Sequence, residues 1–167
     1  MEGGLTHLDD EGTARMVDVS AKPLTERWAR ARAIVRMSPK TAERVRTGDL
    51  PKGDVASVAR IAAIQAAKRT AELIPLCHSL SLSHVDCDIV VDEDAVTVVC
   101  EARTVSGTGV EMEALTGASV GALTVYDMVK GVEKGVVVES VMLLDKTGGK
   151  SGDWAAEGDG ERSETQS

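Results

Sequence analysis

The sequence predicts an α+β domain: an antiparallel sheet of ferredoxin-like order with helices packed on one face. Three observations carry that prediction. Valine-rich stretches alternate in polarity with period two. Two longer stretches repeat small apolar residues at helical spacing. The elements follow one another as strand, helix, strand, strand, helix, strand, which is the split-βαβ order.

The first strand is the least obvious. Trp28 to Met37 reads WARARAIVRM and has fair helix propensity. Its alanines at 29, 31 and 33 alternate with arginines, however, and we read a strand. Ser38-Pro39 opens a short helix, with proline at its tolerated first position, and Gly48 ends it. Asp54 is the N-cap expected for a helix from Val55 to Ile74, stopped by Pro75. Leu82 to Val91 and Ala95 to Thr104 form a hairpin around Asp92-Glu93-Asp94. Glu111 to Lys130 is the second long helix, acidic at its start and basic at its end. Val136 to Leu144 is the last strand. Residues 1–13 read as a flexible segment, 14–151 as one catalytic domain and 152–167 as a disordered acidic tail.

Composition narrows the function. Of 167 residues only 2% are aromatic, with no Phe. A strand-stacking nucleic-acid binder needs more rings than Trp28, Tyr126 and Trp154 provide. A net charge of −8 opposes nonspecific binding to nucleic acid or anionic membrane. Lys22 to Glu72 nevertheless holds 12 Lys or Arg against 5 Asp or Glu. That imbalance suits a local anionic ligand or an ordinary solvated surface. Three cysteines with no secretory leader do not suggest a disulfide framework or a zinc site. Cys87 and Cys100 read as core residues, and the expected compartment is the cytoplasm.

Four segments offer chemistry. In KRTAELIPLCH (68–78), Lys68 and Arg69 are cations, and His78 could move a proton just past a helix end. Taken alone, His78 reads better as a surface histidine with a structural hydrogen bond, and Cys77 as packing. In SGTGVEMEALTG (106–117), glycines lead into a helix whose first turn holds Glu111 and Glu113. These could hold a guanine-like edge or simply favour the helix dipole. They project about 200° apart on an ideal helix, so they are not a matched acid pair. In TVYDMVK (124–130), Asp127 and Lys130 share a face, as a proton-transfer pair or a surface ion pair. LLDKTGGKSG (143–152) fails the full phosphate-loop pattern, but Lys146 and Lys150 could still meet phosphate from a glycine-rich loop.

In order, LTHLDDEGTARMVDVSAKP (5–23), KGDVASVARIAAIQAAKRTAELIPLCHSL (52–80), TGVEMEALTGASVGALTVYDMVK (108–130) and LLDKTGGKSG closely resemble the cyclic pyranopterin monophosphate synthase family of molybdenum cofactor biosynthesis. Ser79 departs from the pattern, where proline is expected. The resemblance implies a lyase that converts 3′,8-cyclo-7,8-dihydro-GTP to cyclic pyranopterin monophosphate and releases pyrophosphate. It implies a homohexamer, a trimer of dimers, with sites at subunit interfaces. It implies Asp127, Lys130 and Lys68 as catalytic residues. Leu76, Cys77, His78, Glu111, Met112 and Glu113 would line the substrate. Lys146, with Lys22, Arg27 and Lys52, would meet the triphosphate. No cofactor or metal site is required, with room for a divalent cation on the triphosphate. A noncatalytic nucleotide sensor and a structural assembly domain are the rival readings.

Overall fold

The computed structural model describes residues 11–149 and 152–157. Its elements are β1 (Thr25–Arg36), α1 (Pro39–Thr47), α2 (Val55–Lys68), α3 (Thr70–Leu73), β2 (Leu82–Val91), β3 (Ala95–Ser106), α4 (Glu111–Val129), β4 (Val137–Thr147) and β5 (Trp154–Ala155). One sheet has the order β2-β3-β1-β4-β5, and every neighbouring pair is antiparallel. This is the α+β arrangement expected, with the helices on one sheet face.

Period two decides the ambiguous first strand. Ala29, Ala31, Ala33 and Val35 are fully buried under the helices. The arginines between them emerge on the opposite face. There Arg30 pairs with Asp145 at 2.6 Å, and Arg36 with both Asp94 and Glu139 at 2.7 Å. A helix would have scattered the alanines around its axis instead.

The helix ends follow from local chemistry. Ser38 caps α1 by accepting from the Thr41 amide, and Gly48 closes it in the left-handed region at φ 72°. There glycine meets no Cβ penalty. Asp54 caps α2 by accepting from Ser57 N–H. The single helix expected over 55–74 is instead broken at Arg69, whose φ −114° and ψ 16° are not helical. The buried Thr70 hydroxyl donates to the Ala67 carbonyl at 2.9 Å, an interaction that competes with the helical ladder. Ile74 is extended, as the residue before a proline should be.

The core is narrow because its residues are small. Ala59, Ala63 and Ala67 of α2 meet Ala114, Ala118 and Ala122 of α4, and both helices sit on valines and alanines of β1 and β3. Gly117 and Gly121 set the distance. A Cβ at Gly117 would run into the Cys100 sulfur and the Ala63 carbonyl. One at Gly121 would lie 2.8 Å from Val98 Cγ1. The two helices run antiparallel, so the start of α2 lies beside the end of α4.

β4 runs three residues beyond its expected end, through Thr147. Trp154–Ala155, in the segment expected as a tail, pairs with Asp145 and Lys146 of β4. The expected flexible residues 1–10 and the tail from residue 158 lie outside the described residues, as does Lys150. No described helix is long and apolar enough to cross a membrane.

Candidate active site at the two ends of one helix

Helix α4 carries functional groups at both ends, in opposite environments. At its start a cavity of about 370 Å³ opens. Pro75 stops α3, so Leu76, Cys77 and His78 turn back as loop and form one wall. Glu111, Met112 and Glu113 form the floor, and Val17, Val19 and Lys22 from the segment before β1 close the third side. Seven expected substrate residues therefore share one cavity.

The two acids of the first turn diverge, as their spacing requires. Glu111 meets Lys146 Nζ at 3.2 Å, and that lysine side chain is only 18% exposed. Glu113 is 4% exposed and has no ion-pair partner among the described residues. Burial pushes its carboxyl up to about 7; the charge of Glu111 adds to the shift and His78 opposes it. Such a group holds a proton near neutrality or accepts strong hydrogen bonds from a ligand. Burial likewise raises the Cys77 thiol, with Glu113 adding to it, so Cys77 is no activated nucleophile.

Lys68 and Arg69 border a smaller adjoining cavity of about 90 Å³ that also touches His78 and Glu113. Arg27 packs against the turn at Gly148 and Gly149. Gly149 has φ +86°, and a side chain there would collide with the guanidinium. Arg27 Nε is buried without a hydrogen-bond partner among the described residues. Lys146, expected on the glycine-rich loop, lies on β4 just before that turn, because the strand continues through Thr147.

At the far end of α4, Asp127 sits between two lysines. Lys130 Nζ is 2.8 Å from Oδ1 and Lys52 Nζ is 2.6 Å from Oδ2. Lys52 also donates to the Asp127 carbonyl at 2.9 Å. Hydrogen bonds from Lys130 and then Lys52 hold the Asp127 carboxyl down at about 2. The same bond raises Lys130. All three side chains are about half exposed.

The structure therefore brings Lys52, rather than Lys68, to Asp127. One signal for this was present in the sequence. Lys52 lies two residues before the Asp54 cap, where a cation opposes the helix dipole and local structure gives it no purpose. Gly53 at φ 85° turns the chain there. Within one chain Asp127 does not join Lys68, His78 or Lys146. Fourteen residues separate Glu113 from Asp127 along α4, roughly 21 Å at the helical rise.

Away from both ends, Cys87 and Cys100 face each other across β2 and β3 with sulfurs 2.7 Å apart. Their mutual hydrogen bond and burial raise the Cys87 thiol far above its usual value. They belong to the core, as expected. Among the described residues, no group of three or more His, Cys, Asp or Glu could hold a metal ion.

Comparison with known proteins agrees across nearly the whole chain. The model of the MoaC family matches residues 16–149. A protein of Streptomyces avermitilis named cyclic pyranopterin monophosphate synthase is 56% identical over 151 residues, covering 90% of this chain and 89% of that one. Proteins of the same name from Thermomicrobium roseum and Streptomyces coelicolor are 55% and 57% identical. The first alignment covers 93% of this chain and 95% of its relative, the second 90% and 88%.

Proposed function

The chain belongs to the MoaC family, and from that premise we infer that it is a lyase of molybdenum cofactor biosynthesis, a cyclic pyranopterin monophosphate synthase. Its substrate is a purine-derived nucleotide triphosphate. In this reading 3′,8-cyclo-7,8-dihydro-GTP is rearranged to cyclic pyranopterin monophosphate, and pyrophosphate leaves.

The observation that carries the site assignment is the division of groups along α4. The cavity at its start has what a purine-derived ring system needs. Glu113 is a buried acceptor for ring N–H groups, and Lys22 on its wall, Lys146 against Glu111 and Arg27 at the glycine turn supply cations for phosphate. The trio at its end has what proton transfer needs. Roughly 21 Å of helix lies between them, too far for a single chain to use both on one bond. We therefore place the working site between subunits, with Asp127, Lys130 and Lys52 of one facing the cavity of another. A cytoplasmic homohexamer built as a trimer of dimers provides such interfaces.

Each residue's role follows from its surroundings. A carboxylate held near 2 is a weak base. An incoming triphosphate competes for Lys52 and Lys130, and loss of either raises the basicity of Asp127. The lysines then stabilise the negative charge that develops as the cyclic phosphate closes. Lys68, in the smaller cavity adjoining the ring cavity, acts on substrate from the binding side. No resident cofactor enters this scheme, and there is room for a divalent cation carried in on the triphosphate.

Incubation with the cyclised dihydro-GTP, followed by mass detection of the pterin and assay of pyrophosphate, tests the activity. Ligand retained without turnover would favour a sensor instead. Mixing D127N with K68M protein, each expected to be inactive by itself, tests the shared site. If pairs assort at random, half are mixed, each with one intact site of two, so about a quarter of wild-type activity returns. No recovery would confine the site to one chain.

A further inference from the structure

We propose that residues 15–24 form a strap that closes one side of the ring cavity, and that His78 is the positioning residue that latches it. The inference rests on the functional reading above for its consequence, and on geometry alone for the latch.

The strap has no helix or strand of its own between residue 15 and the start of β1. One hydrogen bond tethers it and others fix its shape. His78 Nε2 lies 2.6 Å from the Val17 carbonyl. A carbonyl only accepts, so Nε2 carries its hydrogen and donates. Asp18 accepts from both the amide and the hydroxyl of Ser20, at 2.9 and 2.6 Å, and the Lys22 amide donates to the Val19 carbonyl at 3.0 Å. These three bonds fold the strap into a turn. That turn rests on Gly107, where an added Cβ would lie 3.2 Å from both Lys22 Cβ and the Val19 carbonyl.

Of these contacts, the His78 bond is the one that joins the strap to the opposite cavity wall. The Asp18–Ser20 and Lys22–Val19 bonds are internal to the strap and would survive its detachment. Val17, Val19 and Lys22 line the cavity only while the strap lies down. His78 therefore acts through the strap, setting where Lys22 stands. With Nε2 committed to Val17, only Nδ1 could exchange a proton with substrate, so latching rather than proton transfer is its principal task.

The test uses the full-length protein without substrate, then with it. In His78→Ala, hydrogen exchange of peptides spanning residues 16–22 and tryptic cleavage after Arg15 should quicken roughly 3- to 10-fold, the value of one lost hydrogen bond. Peptides from β1 and β3 should be unchanged, which controls for global unfolding. His78→Gln keeps a donor and should restore much of the protection. In turnover, His78→Ala should raise KM more than it lowers kcat. The double variant with Lys22→Ala should be little worse than Lys22→Ala alone, because both lose the same contact.

Unchanged strap exchange in His78→Ala would overturn the latch, even if activity fell, since His78 would then act directly on substrate. A loosened strap with fully additive kinetics would overturn the delivery of Lys22. Absence of pterin product from the wild-type protein would instead overturn the functional reading, while the exchange result would still decide the latch.

Discussion

The two ends of α4 hold their carboxylates in opposite ways. Glu113, in the first turn, is buried with no ion-pair partner among the described residues, and is raised to about 7. Asp127, in the last turn, is exposed between two lysines and is lowered to about 2. The helix dipole alone would order them the other way, favouring a negative charge at the start and opposing it at the end. Desolvation at one end and two ammonium groups at the other outweigh it. One secondary-structure element thus presents a group suited to binding a polar ring edge and a group suited to moving protons.

The comparison is broken most directly at Asp127. Asp127→Asn should lower kcat by about 10²- to 10⁴-fold, the usual contribution of a placed acid or base. Its melting temperature should hardly move, because exposed ion pairs contribute little. Wild-type turnover in this variant would remove the chemical role from that end of the helix.

The next largest effect is on stability and belongs to Glu113. Its carboxyl titrates near 4.5 in the unfolded chain and about 7 in the folded one, so the folded state keeps a proton the unfolded state has lost. The stabilisation is complete below 4.5 and is lost as pH rises through 7. That shift corresponds to about 3 kcal/mol. Urea unfolding at fixed protein concentration should show wild type losing up to about that much between pH 4.5 and 8. Glu113→Gln should show a flatter profile. Equal slopes would mean that Glu113 is solvated or paired in the assembled protein. Asp127 has the opposite sign: its stabilisation is present above 3.8 and is lost as pH falls toward 2.

A smaller effect sharpens the picture at the cavity. Lys146→Met removes the partner of a half-buried Glu111 and, in the proposed site, one phosphate contact. KM should rise about tenfold, as for a lost charge-assisted hydrogen bond, with kcat within about twofold. A fall in kcat alone would move Lys146 to the chemical end. Smallest of all, Gly117→Ala leaves both ends intact and crowds Cys100 and Ala63. It should cost about 1–3 kcal/mol of stability with no change in KM.

Much of the fold was legible in the residues. Alternating alanines and arginines define β1, Ser38 and Asp54 cap their helices, Gly48 and Pro75 end them, and the acidic turn at 92–94 makes the hairpin. Each is a local preference backed by a periodic apolar face. The break at Arg69 was not legible, because it depends on Thr70 being buried. The reach of β4 to Thr147 was hidden by glycines that read as loop, and β5 by a polar composition.

By itself the sequence determined the order of elements, the small-residue core and the family, along with the groups able to carry acid, base and cation chemistry. Those properties reside in neighbouring residues and their spacing. Only the tertiary structure decided the partners. It set Lys52 beside Asp127, left Lys68 with Glu113 and latched Val17 to His78. Antiparallel packing of α2 on α4 joins the start of one helix to the end of the other, and no spacing along the chain encodes that.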